Sequence, residues 1–150
     1  MKKQIAVIVD LDGTLVNVSD IRHFVEGNPR DFDSFHRESV NSPPIPCVMD
    51  EINLQKTLGR QIIVLSGRSE KYRALSQFWL AMHEVPYDRL ILRDSTDFRS
   101  DVVIKSEMYD SLAISYEIVE AMDDRTELIS LWRSKGVPVV KQVVNDTFIS

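Results

Sequence analysis

The chain has 150 residues, a formal charge of −5, 43% hydrophobic residues and 27% charged residues, which suits one globular domain with a single core. Its lone cysteine, Cys47, excludes an intramolecular disulfide or a cysteine-rich zinc centre. The acidic balance argues against coating nucleic acid by bulk charge. No apolar stretch approaches the ~20 residues that cross a bilayer, so no membrane association is expected and the cytoplasm is the expected compartment.

The first element is a buried strand. Ile5 to Val9 are unbroken apolar residues, followed by "DLDGT", in which Asp10 and Asp12 stand two positions apart before Gly13 and Thr14. Two like charges at the end of a dry strand are costly unless a cation or a proton compensates them. Residues 17–47 are irregular and rich in proline, with a short helix expected near "DFDSFHRES", capped by Asp31 or Asp33. A helix over residues 47–58 places Val48, Ile52 and Leu58 inward, and "QIIVLSGR" is a second buried strand ending in a polar turn. Leu75, Phe78, Trp79 and Met82 mark the expected inner face of the next helix, at spacings i, i+3, i+4 and i+7.

"RLILR" is a third strand, residues 102–115 a helix, and "YEIVEAM" a fourth strand running into Asp123 and Asp124. The helix "RTELISLWRSKG" ends at Gly136 as its cap, before a last strand "VPVVKQVV". This alternation predicts an α/β fold with a mainly parallel central sheet covered on both faces. Ligands of such sheets sit outside the carboxyl ends of the strands. Asp10 and Asp12, then Ser66, Gly67 and Arg68, then Asp123 and Asp124 all fall there, with Lys105 early in an adjoining helix. Carboxylate oxygens suit Mg²⁺, and serine, lysine and arginine suit a phosphate. His23, His36 and His83 are read as structural or exposed, because carboxylate-bound Mg²⁺ does not need them. Trp79 and Trp132 are read as core.

"DLDGT", "LSGR", Lys105 and "AMDDR" in this order resemble the four-motif signature of the haloacid dehalogenase (HAD) superfamily of phosphohydrolases. "MDDRTELISLWRSKGV", "RSDVVIK", "SGRSEKYR" and the insert "DFDSFHRESVNSPPIP" are more closely similar to the phosphatase half of bacteriophage polynucleotide kinase-phosphatases. The kinase half has no counterpart, since G-x-x-x-x-G-K-[ST] does not occur in this sequence. The resemblance implies a three-layer HAD-like Rossmannoid sandwich, with residues 17–47 as a small cap-like helical insert after the first strand. It also implies a Mg²⁺-dependent phosphomonoesterase that removes 3′-phosphates from nucleic-acid ends during end repair.

The resemblance carries residue roles with it. Asp10 becomes the nucleophile that forms an aspartyl-phosphate, and Asp12 the proton shuttle. Mg²⁺ is expected on a carboxylate oxygen of Asp10, the backbone carbonyl of Asp12 and the Asp123–Asp124 pair, with Asp123 favoured as the direct ligand and Asp124 behind it. Ser66 and Lys105 would hold phosphoryl oxygens, with Thr14, Gly67 and Arg68 completing the substrate contacts. Asp101, one helical turn before Lys105, would orient its ammonium. Arg22 is the nearest arginine after the first motif. Two other readings are a phosphatase of nucleotides or small phosphate esters, and a non-enzymatic phospho-acceptor module. The second is disfavoured because "IIVLSGR" ends without an acid. A separate kinase or ligase is an expected partner.

Overall fold

The computed structural model describes residues 2–149. Its sheet comprises β1 (Gln4–Val9), β2 (Gln61–Ser69), β3 (Arg89–Arg93), β4 (Tyr116–Asp123), β5 (Val139–Val144) and β6 (Thr147–Ile149), in the order β3-β2-β1-β4-β5-β6. All neighbours pair in parallel except β5 and β6. The chain thus runs outward from β1 to one edge, then returns to β1's other side. That reversal opens a crevice at the carboxyl ends of β1 and β4.

β1 is central because both of its faces are dry. Val7 and Val9 enter one core with Ile62 and Val64 of β2, and Ala6 and Ile8 enter the other with Ile63 and Leu65. The period-2 alternation therefore feeds two hydrophobic layers. The first layer is covered by α3 (Pro46–Thr57) through Val48 and Ile52, and by α4 (Arg73–Met82) through Trp79 and Leu80. The second is covered by α5 (Asp101–Leu112) through Leu112, and by α6 (Thr126–Ser134) through Leu128 and Trp132. This is the expected three-layer α/β arrangement.

The insert contains α1 (His23–Glu26) and α2 (Phe32–Glu38). Asp31 caps α2 by accepting from the Ser34 amide at 3.0 Å, and Phe35 plugs the insert into the first core. Its two stems are bonded to each other, with Asn17 N–H donating to Pro43 O and Ile45 N–H donating to Leu15 O, both at 2.9 Å.

Several details depart from the pattern expected of the sequence. β6 and α1 are additional elements. β6 follows a turn at Asn145 and Asp146, both at positive φ, a hairpin chemistry of the Asn-Gly kind. Phe78, Met82 and Leu58, expected inward, are more than half or nearly half exposed. On α4 the buried face is Ser76, Trp79 and Leu80, one step around the helix, because Ser76 is drawn in by a buried arginine described below.

Below the first core layer lies a buried carboxyl pair. Lys141 Nζ stands 3.0 Å from Glu51 Oε2 and 3.6 Å from Glu120 Oε1, while Glu120 Oε2 has no partner among the described residues. Burial, followed by the neighbouring Glu51 carboxylate, raises Glu120 from the ordinary 4.5 to about 7. The folded protein then holds a proton that the unfolded chain releases, so this group's contribution to stability falls as pH rises from about 4.5 to about 7. Glu120→Gln, which mimics the protonated form, should match the wild type in urea unfolding at pH 5 and exceed it at pH 8. Equal midpoints at both pH values would show that no proton is retained there.

Candidate active site

The site is built at the strand ends that the topology brings together. Asp10 follows β1, and its amide N–H donates to Met122 O of β4 at 3.0 Å, which fixes the two acidic motifs side by side. Gly13 turns the chain at φ +85°, and a Cβ there would collide with the Asp124 carboxylate. Glycine is thus required for conformation and for space.

Asp10, Asp123 and Asp124 each present a carboxylate oxygen within 4.8 Å of one another. Burial and the charge of Asp123 raise Asp10 well above the ordinary carboxylate value, and the same two causes raise Asp124. Lys105 reaches in from α5, with its Nζ 2.8 Å from Asp10 Oδ1 and 3.2 Å from Asp123 Oδ2. Burial would lower this lysine's pKa, but the charges of Asp10 and Asp123 more than offset it and keep the ammonium protonated. One cation thus faces a cluster of three acids.

The two members of the Asp123–Asp124 pair are not equivalent. Asp123 is almost fully buried. Its Oδ2 accepts from Lys105 and from Trp132 Nε1, while its Oδ1 accepts from the amides of Asp124 and Arg125. Asp124 instead lines the open cleft and is touched by Thr14 Oγ1 at 3.2 Å. The geometry favours the reverse of the order expected above, with Asp124 outward and Asp123 anchoring Lys105.

Asp12 is held by Arg68 through two bonds, Nε to Oδ2 at 2.8 Å and Nη2 to Oδ1 at 2.6 Å. The same guanidinium, only 3% exposed, donates to Ser76 Oγ on α4 at 3.1 Å and to Ser39 Oγ in the insert at 2.9 Å. Burial works to raise Asp12, but the charge and hydrogen bonds of Arg68 prevail and lower it. Arg68 is therefore engaged with protein groups, where the sequence suggested a phosphate contact. Forked donors suit a carboxylate as well as a phosphate, and sequence does not say which is nearer.

Two further expected roles are corrected by the geometry. Asp101 does not meet Lys105: its carboxylate pairs with Arg93 and with Arg125 and abuts Gly67 so closely that a Cβ there would clash. Two nearby guanidinium groups outcompete an ammonium that is already claimed by Asp10 and Asp123. Thr14 is fully buried and bridges Asp10 and Asp124 at 3.2 Å to each, so it braces the carboxylates instead of facing a substrate. Ser66 and Gly67 do line the cleft, with Ser66 Oγ accepting from Arg68 N–H at 3.1 Å. Both lie within the last residues of β2, at a break in its register with β3.

Asp10, Asp12, Ser66, Lys105 and Asp124 border a cleft of about 760 Å³. One wall is the insert, including Arg22, Arg30, Phe32 and His36; the other is the loop from Ser95 to Asp101. His36 was expected to be structural or exposed. It is buried, and burial holds it down to about 4, so it is neutral at pH 7. Phe32, Phe98 and Arg30 on these walls have no periodic signal that would single them out in the sequence.

With this geometry in view, comparisons with known proteins place the chain. The family model of the polynucleotide kinase PNKP phosphatase domain matches residues 4–148. A putative bifunctional polynucleotide kinase/RNA ligase of Autographa californica nuclear polyhedrosis virus is 26% identical over 144 residues, covering 94% of this chain and 20% of that protein. A chain of the Pnkp1/Rnl/Hen1 complex superposes with a TM-score of 0.79 at 30% identity, covering 94% of this chain and 45% of that one. The class C acid phosphatase of Bacillus anthracis shares the fold, with a TM-score of 0.69 at 18% identity over 85% of this chain and 54% of its own. The chain therefore spans less than half of the viral and repair-complex relatives it matches. By its fold and by a family match that runs nearly end to end, the chain belongs to the polynucleotide kinase PNKP phosphatase domain family and is a HAD-type phosphoric monoester hydrolase.

Proposed function

We propose that this protein removes 3′-phosphates from nucleic-acid ends, with Asp10 as the nucleophile. The observation that carries this reading is the floor of the cleft, where the Asp10 carboxylate sits against the Lys105 ammonium at 2.8 Å and beside an independently held carboxylate, Asp12. An oxygen of Asp10 attacks phosphorus, the bond to the 3′ oxygen breaks, and Asp12 gives that oxygen a proton. In the second half, water attacks the aspartyl-phosphate, Asp12 takes the water's proton, and inorganic phosphate leaves. The shuttle ends each turnover as it began. The Arg68 pair favours the ionised form that serves as base in the second half.

Lys105 and Ser66 stabilise charge on the phosphoryl oxygens. Three crowded carboxylates opposed by one ammonium suit a hard divalent cation, and the donor set of oxygens fits Mg²⁺. Asp10 and Asp124 would hold it, with Asp123 positioning Lys105 behind them. Such an ion, when bound, neutralises the acids and polarises a phosphoryl oxygen.

The relatives named above are described as joining polynucleotide kinase and RNA ligase activities, or as part of a complex with Rnl and Hen1. A kinase or ligase acting on the same breaks is accordingly the proposed partner activity, because sealing joins a 3′-hydroxyl, which clearing the 3′-phosphate exposes, to a 5′-phosphate, which a kinase supplies. Turnover should be measured on single-stranded oligonucleotides with 3′-phosphate, 5′-phosphate or 2′,3′-cyclic ends and on nucleoside 3′-monophosphates, with Mg²⁺ and with EDTA. The 3′-phosphorylated oligonucleotide should have the highest kcat/KM, and EDTA should abolish it. A higher value on the mononucleotide would replace a polymer end with a small ester as the substrate.

A further inference from the structure

We propose that Phe98 and Phe32, one on each wall of the cleft, form a stacking subsite for the last bases of a single-stranded nucleic acid, with Arg22 and Arg30 taking the phosphates upstream of the scissile one. This rests on the polynucleotide reading above and adds to it the residues that would distinguish a polymer end from a small ester.

Phe98 is 89% exposed, and Phe32 is 52% exposed. A phenyl ring left in water at this level contributes little to a core, and single exposed apolar residues need no function by themselves. The setting of Phe98 gives it one. Its loop is braced on both sides: Asp94 accepts from the Thr96 amide at 2.9 Å, Asp97 Oδ1 accepts from the Arg99 amide at 3.1 Å, and Arg93 Nη1 donates to Asp97 O at 3.1 Å. Arg99 is in turn pinned between Asp97 and Glu107. The backbone is thus held by polar bonds while the ring itself projects at the cleft. A solvated aromatic ring on a braced backbone beside a phosphate-processing centre suits a base-stacking platform, because the loop is already ordered and the ring's own rotamer is what binding has to settle.

The opposite wall is built to match. Phe32 stacks toward His36, with ring centroids 6.5 Å apart and an interplanar angle of 24°, and His36 packs against Tyr72 at 4.4 Å. The result is an aromatic ledge along the insert side of the cleft. His36 Nδ1 is buried without a hydrogen-bond partner among the described residues. Arg22 and Arg30 are exposed on this same wall, and among the described residues neither joins an ion pair with a carboxylate. In an acidic protein two unpaired guanidinium groups beside the cleft mark where an anion arrives. Aromatic faces on both walls with cations between the site and solvent fit a flexible strand whose bases alternate with phosphates.

The test uses Phe98→Ala and Phe98→Trp, at a position whose exposure spares the core. The measured quantity is kcat/KM on a single-stranded 3′-phosphorylated oligonucleotide relative to that on glycerol 2-phosphate, which has no base. Loss of one base–aromatic stack should lower this ratio by about tenfold in Phe98→Ala, and Phe98→Trp should restore it. An oligonucleotide whose last two nucleosides are abasic should show no such drop between wild type and Phe98→Ala. An unchanged ratio in Phe98→Ala, with wild type still hydrolysing the oligonucleotide well, overturns the stacking subsite and leaves the proposed function standing. A wild-type enzyme that hydrolyses glycerol 2-phosphate and ignores the oligonucleotide overturns both.

Discussion

Asp10→Asn should leave the protein folded and lower kcat by about 10⁴-fold or more, since the amide preserves shape but cannot attack phosphorus. The fold should survive because Asp10 is destabilised where it stands: burial and the charge of Asp123 already push it toward its neutral form. An amide removes that repulsion and still accepts from Lys105 through its carbonyl oxygen. The expected signature is therefore a dead enzyme with an unfolding temperature equal to or above that of wild type in EDTA. Rapid quenching of wild type with a ³²P-labelled substrate should trap label on Asp10, and the variant should trap none. Label on another residue, or near-normal turnover in the variant, would remove Asp10 from the chemistry.

Lys105→Met is the complementary experiment and should have the largest effect on stability. Methionine fills most of the lysine stem but leaves Asp10 and Asp123 facing each other with no cation at 2.8 and 3.2 Å. Breaking a buried ion pair from one side typically costs about 3–5 kcal/mol, and here two carboxylates lose the same partner. Thermal unfolding in EDTA should fall accordingly, and turnover should fall by about 10²–10³-fold with the loss of a charge-stabilising donor. On the proposed metal site, Mg²⁺ should stabilise the variant more than it stabilises wild type, because the ion then supplies the only positive charge in the cluster. An equal Mg²⁺ increment in both proteins would place the cation elsewhere.

The sequence reveals the parts of this molecule in which a local pattern meets a simple physical rule. A dry strand that ends in acids, as at Val9–Asp10 and Met122–Asp123, is legible because burial and charge are in open conflict. The two-sided burial of β1 and β2 is likewise written in their unbroken apolar runs. What stays hidden is the choice among partners. Ser76 faces inward because Arg68 bonds to it, so α4 turns Phe78 and Met82 toward solvent despite their helical spacing. Asp101 is one turn from Lys105, yet Arg93 and Arg125 take it. Thr14 and Asp124 meet across 110 residues of chain, a distance over which spacing carries no information.

The neck of the insert, where Leu15 bonds Ile45 and Asn17 bonds Pro43, gives the excursion between them the look of an exchangeable module. A shorter or longer segment grafted at those positions would re-enter the sheet without disturbing β1. Ser39 limits that freedom. Its hydroxyl accepts from the guanidinium that also grips Asp12, while donating to His36 O at 2.6 Å. Any replacement segment that fails to supply an acceptor at that point strands an N–H beside Asp12, the proposed proton shuttle, in a water-poor setting. Diversification of the insert is therefore constrained where Phe35 enters the core and where Trp79 Nε1 donates to Ser42 O, and is tethered through the Ser39 hydroxyl to Asp12.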